Sequence, residues 1–347
     1  MAAVLVPQGD ELMRWLGVGG GVLVSLLLLG CVEDNPSLNP TTTVSAAPVP
    51  EAAVAIVNES TVKVRWKPSP SQDLPAFKSY YLVLVEMAEQ NVVRRIEVSE
   101  RRPSYELVLG GLKEGVLYGL DIWVRFQDNT LSSAPRTVLF APAKQYAEVL
   151  GQPIRLYEQD APPQLPNGLN FNQGGQPALL PRQAAAQWDI CFEIVDGQAR
   201  LGCVKSSMAY VGDSAEYAQG RKPLLRGMGR RTLVGSNLVQ DVSALDEVWV
   251  SSTLDTIAGR LDTVMLQIPE QLPSGKGVAF FLMRVDTTWA KVFVKPGPDG
   301  RLIQGTAPQR YVELAISYQT RKAVPSALPS GRAVVRPVSE QQSARRE

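Results

Sequence analysis

The fold of the first half of this chain is decided by Leu112-Lys113-Glu114-Gly115-Val116-Leu117-Tyr118, which runs on into Leu120-Asp121-Ile122-Trp123-Val124-Arg125-Phe126. The apolar residues of the second run recur at every other position, and this period of two predicts a strand with one buried face. Six further runs with strand character and turn residues between them predict an antiparallel β-sandwich. They are Ala53–Val57, Thr61–Trp66, Tyr80–Val85, Val92–Val98, Ser104–Leu109 and Pro135–Phe140.

Three features within residues 51–142 resemble a fibronectin type III domain. Trp66 ends the second run before a proline-rich turn, and Phe77-x-x-Tyr80 opens the third. Leu112-x-x-Gly115-x-x-Tyr118 is similar to the tyrosine corner, in which the phenol bonds back to the chain at a crossover. The resemblance implies that Trp66, Tyr80, Leu112 and Tyr118 are structural core residues, and it identifies no ligand.

Composition narrows the classes of function. The chain has 35 Lys+Arg against 34 Asp+Glu, so its net charge does not predict a nucleic-acid partner. It has no histidine, which removes Ser-His-Asp and Cys-His catalysis, most zinc sites and histidine-ligated haem. We therefore predict a protein that is not an enzyme, with no catalytic residue, no cofactor and no metal site.

The N-terminus has the layout of a secretory signal. Arg14 precedes an apolar run that ends in Leu28-Leu29-Gly30-Cys31. These four residues resemble the lipobox of bacterial lipoproteins, which implies cleavage before Cys31, acylation of its thiol, and the membrane as a partner through the lipid anchor. The alternatives are an uncleaved transmembrane helix, although a span needs roughly 20 apolar residues, and translation from Met13 instead of Met1.

The sequence predicts an all-β protein with an ordered series of segments. A fibronectin type III sandwich would be followed by a second antiparallel β domain, and Tyr146 to Leu150 would form a short helix between them. The predicted segments are a signal peptide (1–30), a flexible tether (31–50), the sandwich (51–142), a linker (143–168), the second domain (169–322) and a disordered tail (323–347).

The second domain ends in three strand-like runs that predict a β-meander. Four segments resemble, in order, the HmuY-like lipoprotein family: Trp188-Asp189-Ile190, Leu245-Asp246-Glu247-Val248, Trp289-Ala290-Lys291 and Ile316-Ser317-Tyr318-Gln319. The haem binders of that family hold iron with two histidines. Because this chain has none, the resemblance implies only the fold.

Cys191 and Cys203 lie in two strand-like runs around Asp196-Gly197-Gln198. If these three residues form the loop, Val195 faces Ala199 and Cys191 faces Cys203. In an oxidising compartment this register predicts a disulfide. The alternative is a pair of buried free thiols.

One basic loop is a candidate anion-binding site, because arginines and backbone N–H groups beside glycines can hold phosphate, sulfate or carboxylate groups. The alternative is a solvated loop that nearby acidic residues offset. Its cations are Arg221, Lys222, Arg226, Arg230 and Arg231. A scattered acidic set could in principle bind calcium, but it lacks EF-hand spacing and is more typical of polar turns. It comprises Asp241, Asp246, Glu247, Asp255 and Asp262.

Together these features predict a lipid-anchored binding or scaffold protein of the cell envelope, at the outer membrane or cell surface. It would act by recognising an envelope protein or a glycan. The alternatives are a polysaccharide-binding or carbohydrate-active surface lipoprotein and an accessory subunit of an envelope protein complex.

Overall fold

The computed structural model of the protein describes residues 47–171, 176–208, 229–251 and 260–319. Across these ranges the regular structure consists of β-strands and short 3-10 turns, which confirms the all-β prediction. No helix within them is long and apolar enough to span a membrane. The predicted signal peptide, Cys31 and the predicted tail from 323 onward lie outside the described residues.

The first part of the chain is a two-sheet sandwich. One sheet has the strand order β1-β2-β5 and the other β4-β3-β6-β7, with all neighbours antiparallel. This arrangement confirms the predicted fibronectin type III-like sandwich. The strands are β1 (Ala52–Asn58), β2 (Thr61–Trp66), β3 (Phe77–Glu86), β4 (Asn91–Val98), β5 (Tyr105–Leu109), β6 (Tyr118–Phe126) and β7 (Arg136–Phe140), and a 3-10 turn covers Pro70–Asp73.

Aromatic side chains fill the core of the sandwich. Trp66 stacks on Tyr105 with ring centroids 4.9 Å apart, and Tyr80 meets Trp66 edge-on. The structure places Leu112 in the same cluster. The hydroxyl of Tyr118 accepts a hydrogen bond from the backbone N–H of Lys113 at 3.1 Å, which is the bond that the tyrosine-corner resemblance implies.

The end of the predicted tether belongs to the sandwich. Val49 is fully buried in the core cluster, and the Arg136 guanidinium donates to its carbonyl oxygen at 3.0 Å. Ala47 is tied to Ser69 and Ser71 by hydrogen bonds. From residue 47 on the described chain is held against the sandwich, so the tether prediction is wrong for its last residues.

The second domain consists of two further sheets. One has the order β18-β15-β20-β21-β22-β10-β9, with β16 also on β20 and β8 also on β22, and the other has the order β12-β11-β13-β14-β19. Side chains from both sheets share one hydrophobic cluster that includes Phe192, Leu201, Val292 and Ile316. The neighbouring antiparallel strands β20, β21 and β22 confirm the predicted meander.

The strands of this domain are short except in the meander. They are β8 (Lys144–Tyr146), β9 (Glu148–Val149), β10 (Gln152–Tyr157), β11 (Pro166–Phe171), β12 (Pro177–Pro181), β13 (Ile190–Val195), β14 (Gln198–Cys203), β15 (Thr232–Gly235), β16 (Val239–Val242), β17 (Val250–Ser251), β18 (Leu261–Asp262), β19 (Met265–Gln267), β20 (Gly277–Arg284), β21 (Trp289–Lys295) and β22 (Tyr311–Gln319). The 3-10 turns are Arg182–Gln187, Val204–Ser206 and Leu245–Glu247.

Residues 143–168 are not a linker. They hold β8, β9, β10 and the start of β11, and both β8 and β10 pair with β22. The short helix expected over Tyr146 to Leu150 is absent from this described segment. Ile154 and Leu156 on β10 are fully buried in the core of the second domain. Residues 143–168 are therefore part of that domain.

The predicted Cys191–Cys203 disulfide is wrong, because both thiols are free and buried. The hairpin turn contains two residues, Asp196 and Gly197, and both have the positive φ of a type I′ turn. This shifts the register by one, so that Cys203 pairs with Ile190 and Cys191 pairs with Gly202. Neighbouring strand positions point to opposite faces, so the two sulfurs lie on opposite sides of the sheet.

Candidate functional site: the contact between the sandwich and the second domain

The sandwich and the second domain are joined through backbone as well as side chains. β17 of the second domain adds to the outer edge of β1, with Ala53 opposite Ser251 and Val54 opposite Val250. The Gln145 side chain on β8 also donates to the carbonyl oxygen of Ile56 at 3.1 Å. These bonds cover an edge of the sandwich that would otherwise be open to pairing.

Two charged side chains of β2 reach the segment that leads into β17. The Lys63 ammonium donates to the Asp246 carboxylate at 2.6 Å, and this bond raises the pKa of Lys63. The Arg65 guanidinium lies over the Trp249 ring, 4.4 Å from its centroid. The two partners on the second domain are three residues apart, so a single short segment carries both contacts.

Beneath this segment lies an apolar layer on the meander. Val242, Leu245, Val248 and Val250 pack on side chains of β20 and β21. The meander partners are Ala279, Phe281 and Phe293. The opposite face of β21 contributes Val292 and Val294 to the main core of the domain, so this strand is buried on both faces.

Lys291 lies in the middle of this layer. It faces Phe281 on one side and Ser317 on the other, and it is fully buried. Its ammonium nitrogen has no hydrogen-bond partner among the described residues, and neither has the Ser317 hydroxyl. Burial lowers the pKa of Lys291 to about 7, against a smaller opposing attraction from Asp246.

A neutral amine beside a serine hydroxyl is in principle a base and a nucleophile. Catalysis also requires the two groups to be hydrogen-bonded and a substrate to reach them. Neither group donates to the other, and both are completely shielded from solvent. As the described residues are arranged, the pair can respond to protonation, and both side chains are closed off from solvent.

A second buried polar cluster sits where the Trp188-Asp189 segment meets the end of the meander. Asp189 accepts hydrogen bonds from the backbone N–H of Phe171 at 2.7 Å and from the Thr232 hydroxyl at 3.2 Å. Arg284 lies 3.5 Å from the same carboxylate. Burial raises the pKa of Asp189 against these stabilising contacts. The cluster fastens the two sheets together at one end.

The structure disperses most of the residues that the sequence singled out as candidate ligands. Arg230 and Arg231 are exposed just before β15, while Arg221, Lys222 and Arg226 lie outside the described residues. Asp246 binds Lys63, and Asp262 lies 3.6 Å from Arg260. Within the described ranges, no group of three or more acidic or cysteine side chains could hold a metal ion. Cys191 is shielded from solvent, and burial raises its pKa.

Among the described residues, no strand pairs with the outer edges of β4 and β5. β4 ends one sheet and β5 ends the other, and the Arg94 guanidinium on β4 reaches the carbonyl oxygen of Gly110 just beyond β5. This edge exposes apolar side chains: Val92 is 38%, Val93 is 42% and Val108 is 57% exposed. It contrasts with the edge of β1, which β17 occupies.

Comparison with known proteins finds similarity only among solved structures. No protein-family model and no curated protein sequence matches the chain. The chain is similar to the chicken CNTN1 FN1–FN3 domains (18% identity, 28% of this chain and 31% of that one, TM-score 0.24). It is also similar to the third fibronectin III domain of human KIAA0343, with 14% identity over 35% of this chain and 100% of that one and a TM-score of 0.25. A further similar structure is the fn3 domain of the human collagen alpha-1(XX) chain, with 16% identity over 32% of this chain and 99% of that one and a TM-score of 0.25. The resemblances to bacterial lipoproteins and to HmuY-like proteins stay predictions.

Proposed function

We propose that the protein is a lipid-anchored, non-catalytic binding and scaffold protein of the cell envelope. The exposed β4–β5 edge of the sandwich is the observation that carries this proposal. Exposed strand edges offer unpaired backbone groups to an extended segment of a partner, and adjacent side chains add specificity. The partner class that fits this edge is an envelope protein with an extended, partly apolar segment.

The rest of the architecture supports the same role. Strand pairing between β1 and β17 fastens the sandwich to the second domain, so that the free edge is held in a fixed position on a larger body. The predicted lipid at Cys31 would keep that body at a membrane surface, because two or more acyl chains give stable attachment.

Co-purification from detergent-solubilised membranes tests the proposal. Val93→Lys and Val108→Lys each replace an exposed apolar side chain on an edge strand with a charge, which opposes pairing with an apolar segment. We expect either change to reduce the recovery of a co-purifying protein by about tenfold or more, equivalent to about 1.4 kcal/mol of binding free energy. Val285→Lys is the matched control, because Val285 is 72% exposed in the turn between β20 and β21, away from the sandwich edge.

The alternative functions give different results in the same preparation. Equal recovery with all three lysine variants would contradict binding through this edge. Hydrolysis of a glycan by the purified protein would contradict a non-catalytic role. Cys31→Ser is expected to move the protein and its partner together out of the membrane fraction, while leaving their association in solution intact.

A further inference from the structure

Asp246 is placed between two lysines that belong to different parts of the molecule. It binds the ammonium of Lys63 on the sandwich at 2.6 Å, and both side chains of this pair are partly exposed to solvent. It also attracts charge on the buried Lys291 of the meander, to which it is not hydrogen-bonded. The Asp246 carboxylate is therefore the present counter-ion of Lys63 and the nearest available counter-ion for a protonated Lys291.

The surroundings of Lys291 suit an uncharged amine. Phe281 lies directly across from it and Phe293 lies two positions along its own strand. A charged ammonium left unpaired in such an apolar layer costs several kcal/mol. Lys291 can be protonated in place only if Asp246 moves from Lys63 towards it, or if residues 242–251 separate from the meander and water enters.

Few other charges could compensate a proton on Lys291. β1, which packs on the covering segment, carries no ionisable side chain, and the meander neighbours Phe281 and Ser317 carry none either. The other elements around this layer carry the carboxylates Asp241, Asp246, Glu247 and Glu313 and the cations Lys63, Arg65 and Lys295. Glu313 is already paired with Lys295 and Arg155, and the attraction that acts on Lys291 comes from Asp246.

We infer that Val242–Ser251, here called the latch segment, is a proton-dependent latch between the sandwich and the second domain. In the closed state Lys291 is neutral, Asp246 is bound to Lys63, and β17 is paired with β1. When Lys291 takes up a proton, it competes for Asp246 and favours hydration of the layer. The latch segment then leaves the meander and uncovers the outer edge of β1.

Hydrogen exchange of the full chain tests the latch. The readout is the protection factor of peptides covering the latch segment, corrected for the intrinsic pH dependence of exchange. If opening takes up one proton, the protection factor falls about tenfold for each unit by which the pH is lowered. In the wild type we expect this decline between about pH 9 and about pH 7 and a level profile below it. In Lys291→Met, which keeps length and removes the charge, we expect no such decline.

Lys295→Met is the matched control, because Lys295 is on the same strand, is partly exposed, and is paired with Glu313 at 2.6 Å. It should keep the wild-type profile. Lys63→Met frees Asp246 for Lys291, and should move the start of the level region to higher pH. The latch is contradicted if the wild type and Lys291→Met show the same pH profile, or if Lys63→Met leaves the level region unmoved.

Discussion

Gly168→Ala is expected to destabilise the second domain by about 3 kcal/mol or more, or to prevent its folding. Gly168 is on β11, opposite Cys191 of β13. A Cβ atom at this position would lie 2.1 Å from Cδ2 of the Trp188 indole. The indole is almost fully buried, so it has no free space to move into. The close approach of ring and backbone therefore requires glycine here.

Chemical denaturation monitored by circular dichroism measures this effect. Gly110→Ala is the matched control, because a Cβ atom there would meet nothing closer than the Thr61 hydroxyl at 3.9 Å. That variant should remain within about 0.5 kcal/mol of the wild type. A Gly168→Ala protein that is as stable as the control would show that Trp188 does not pack on Gly168 as described.

Lys291→Met is expected to change how the free energy of unfolding depends on pH. The pKa of Lys291 is about 7 in the folded protein, whereas an unfolded lysine has a pKa of about 10.4. Between these values unfolding takes up one proton, so stability rises by about 1.4 kcal/mol per pH unit as pH increases. Below about pH 7 Lys291 is protonated in both the folded and the unfolded protein. Its contribution to the free energy of unfolding is then constant and at its least favourable value.

The measurement is the difference between the wild type and Lys291→Met in denaturant unfolding at several pH values. Subtracting the two curves cancels the other groups that titrate in the same range. The free energy of unfolding of Lys291→Met minus that of the wild type should decrease by about 4 kcal/mol in total from pH 7 to pH 10. A constant difference across this range would mean that Lys291 keeps its proton in the folded state. Unlike the exchange experiment, this test concerns global unfolding. It can succeed where the latch fails, whereas a constant difference would also remove the neutral Lys291 that the latch requires.

The sequence was sufficient to predict the sandwich. The alternation of apolar residues is preserved in the burial of β2 and of the second half of β6, where Ile122, Val124 and Phe126 are buried and the residues between them are partly exposed. Trp66 and Tyr118 could be placed through the resemblance to fibronectin type III domains, Trp66 by its position before a proline-rich turn and Tyr118 by the spacing Leu112-x-x-Gly115-x-x-Tyr118. The meander was also predictable, since β20, β21 and β22 are long and rich in residues with high strand propensity.

The cysteine pairing failed because of a single residue in a turn. Asp196-Gly197 is itself a strong signal for a two-residue hairpin, and counting Gln198 into the loop moved every partner by one. Since side chains alternate between faces, this small error turned two thiols on opposite sides of the sheet into an apparent pair. Register depends on the turn, and composition around the cysteines does not reveal it.

The contact between the sandwich and the second domain could not be predicted, because its partners are far apart in the sequence. Lys63 and Asp246 are 183 residues apart. Lys291 did leave a local signal, because it shares a strand face with Trp289 and Phe293, where alternation predicts an apolar residue. A charged residue at such a position indicates either a buried pairing or a functional group, and only the structure distinguishes them.

We propose that this two-sheet sandwich and its partner domain are held at a membrane by a lipid on Cys31. Mass spectrometry of the N-terminal peptide, from protein isolated out of native membranes, examines that attachment itself. We expect a mature chain that begins at Cys31 and carries the added mass of acyl groups. A chain that retains residues 1–30 with an unmodified Cys31 thiol would contradict it.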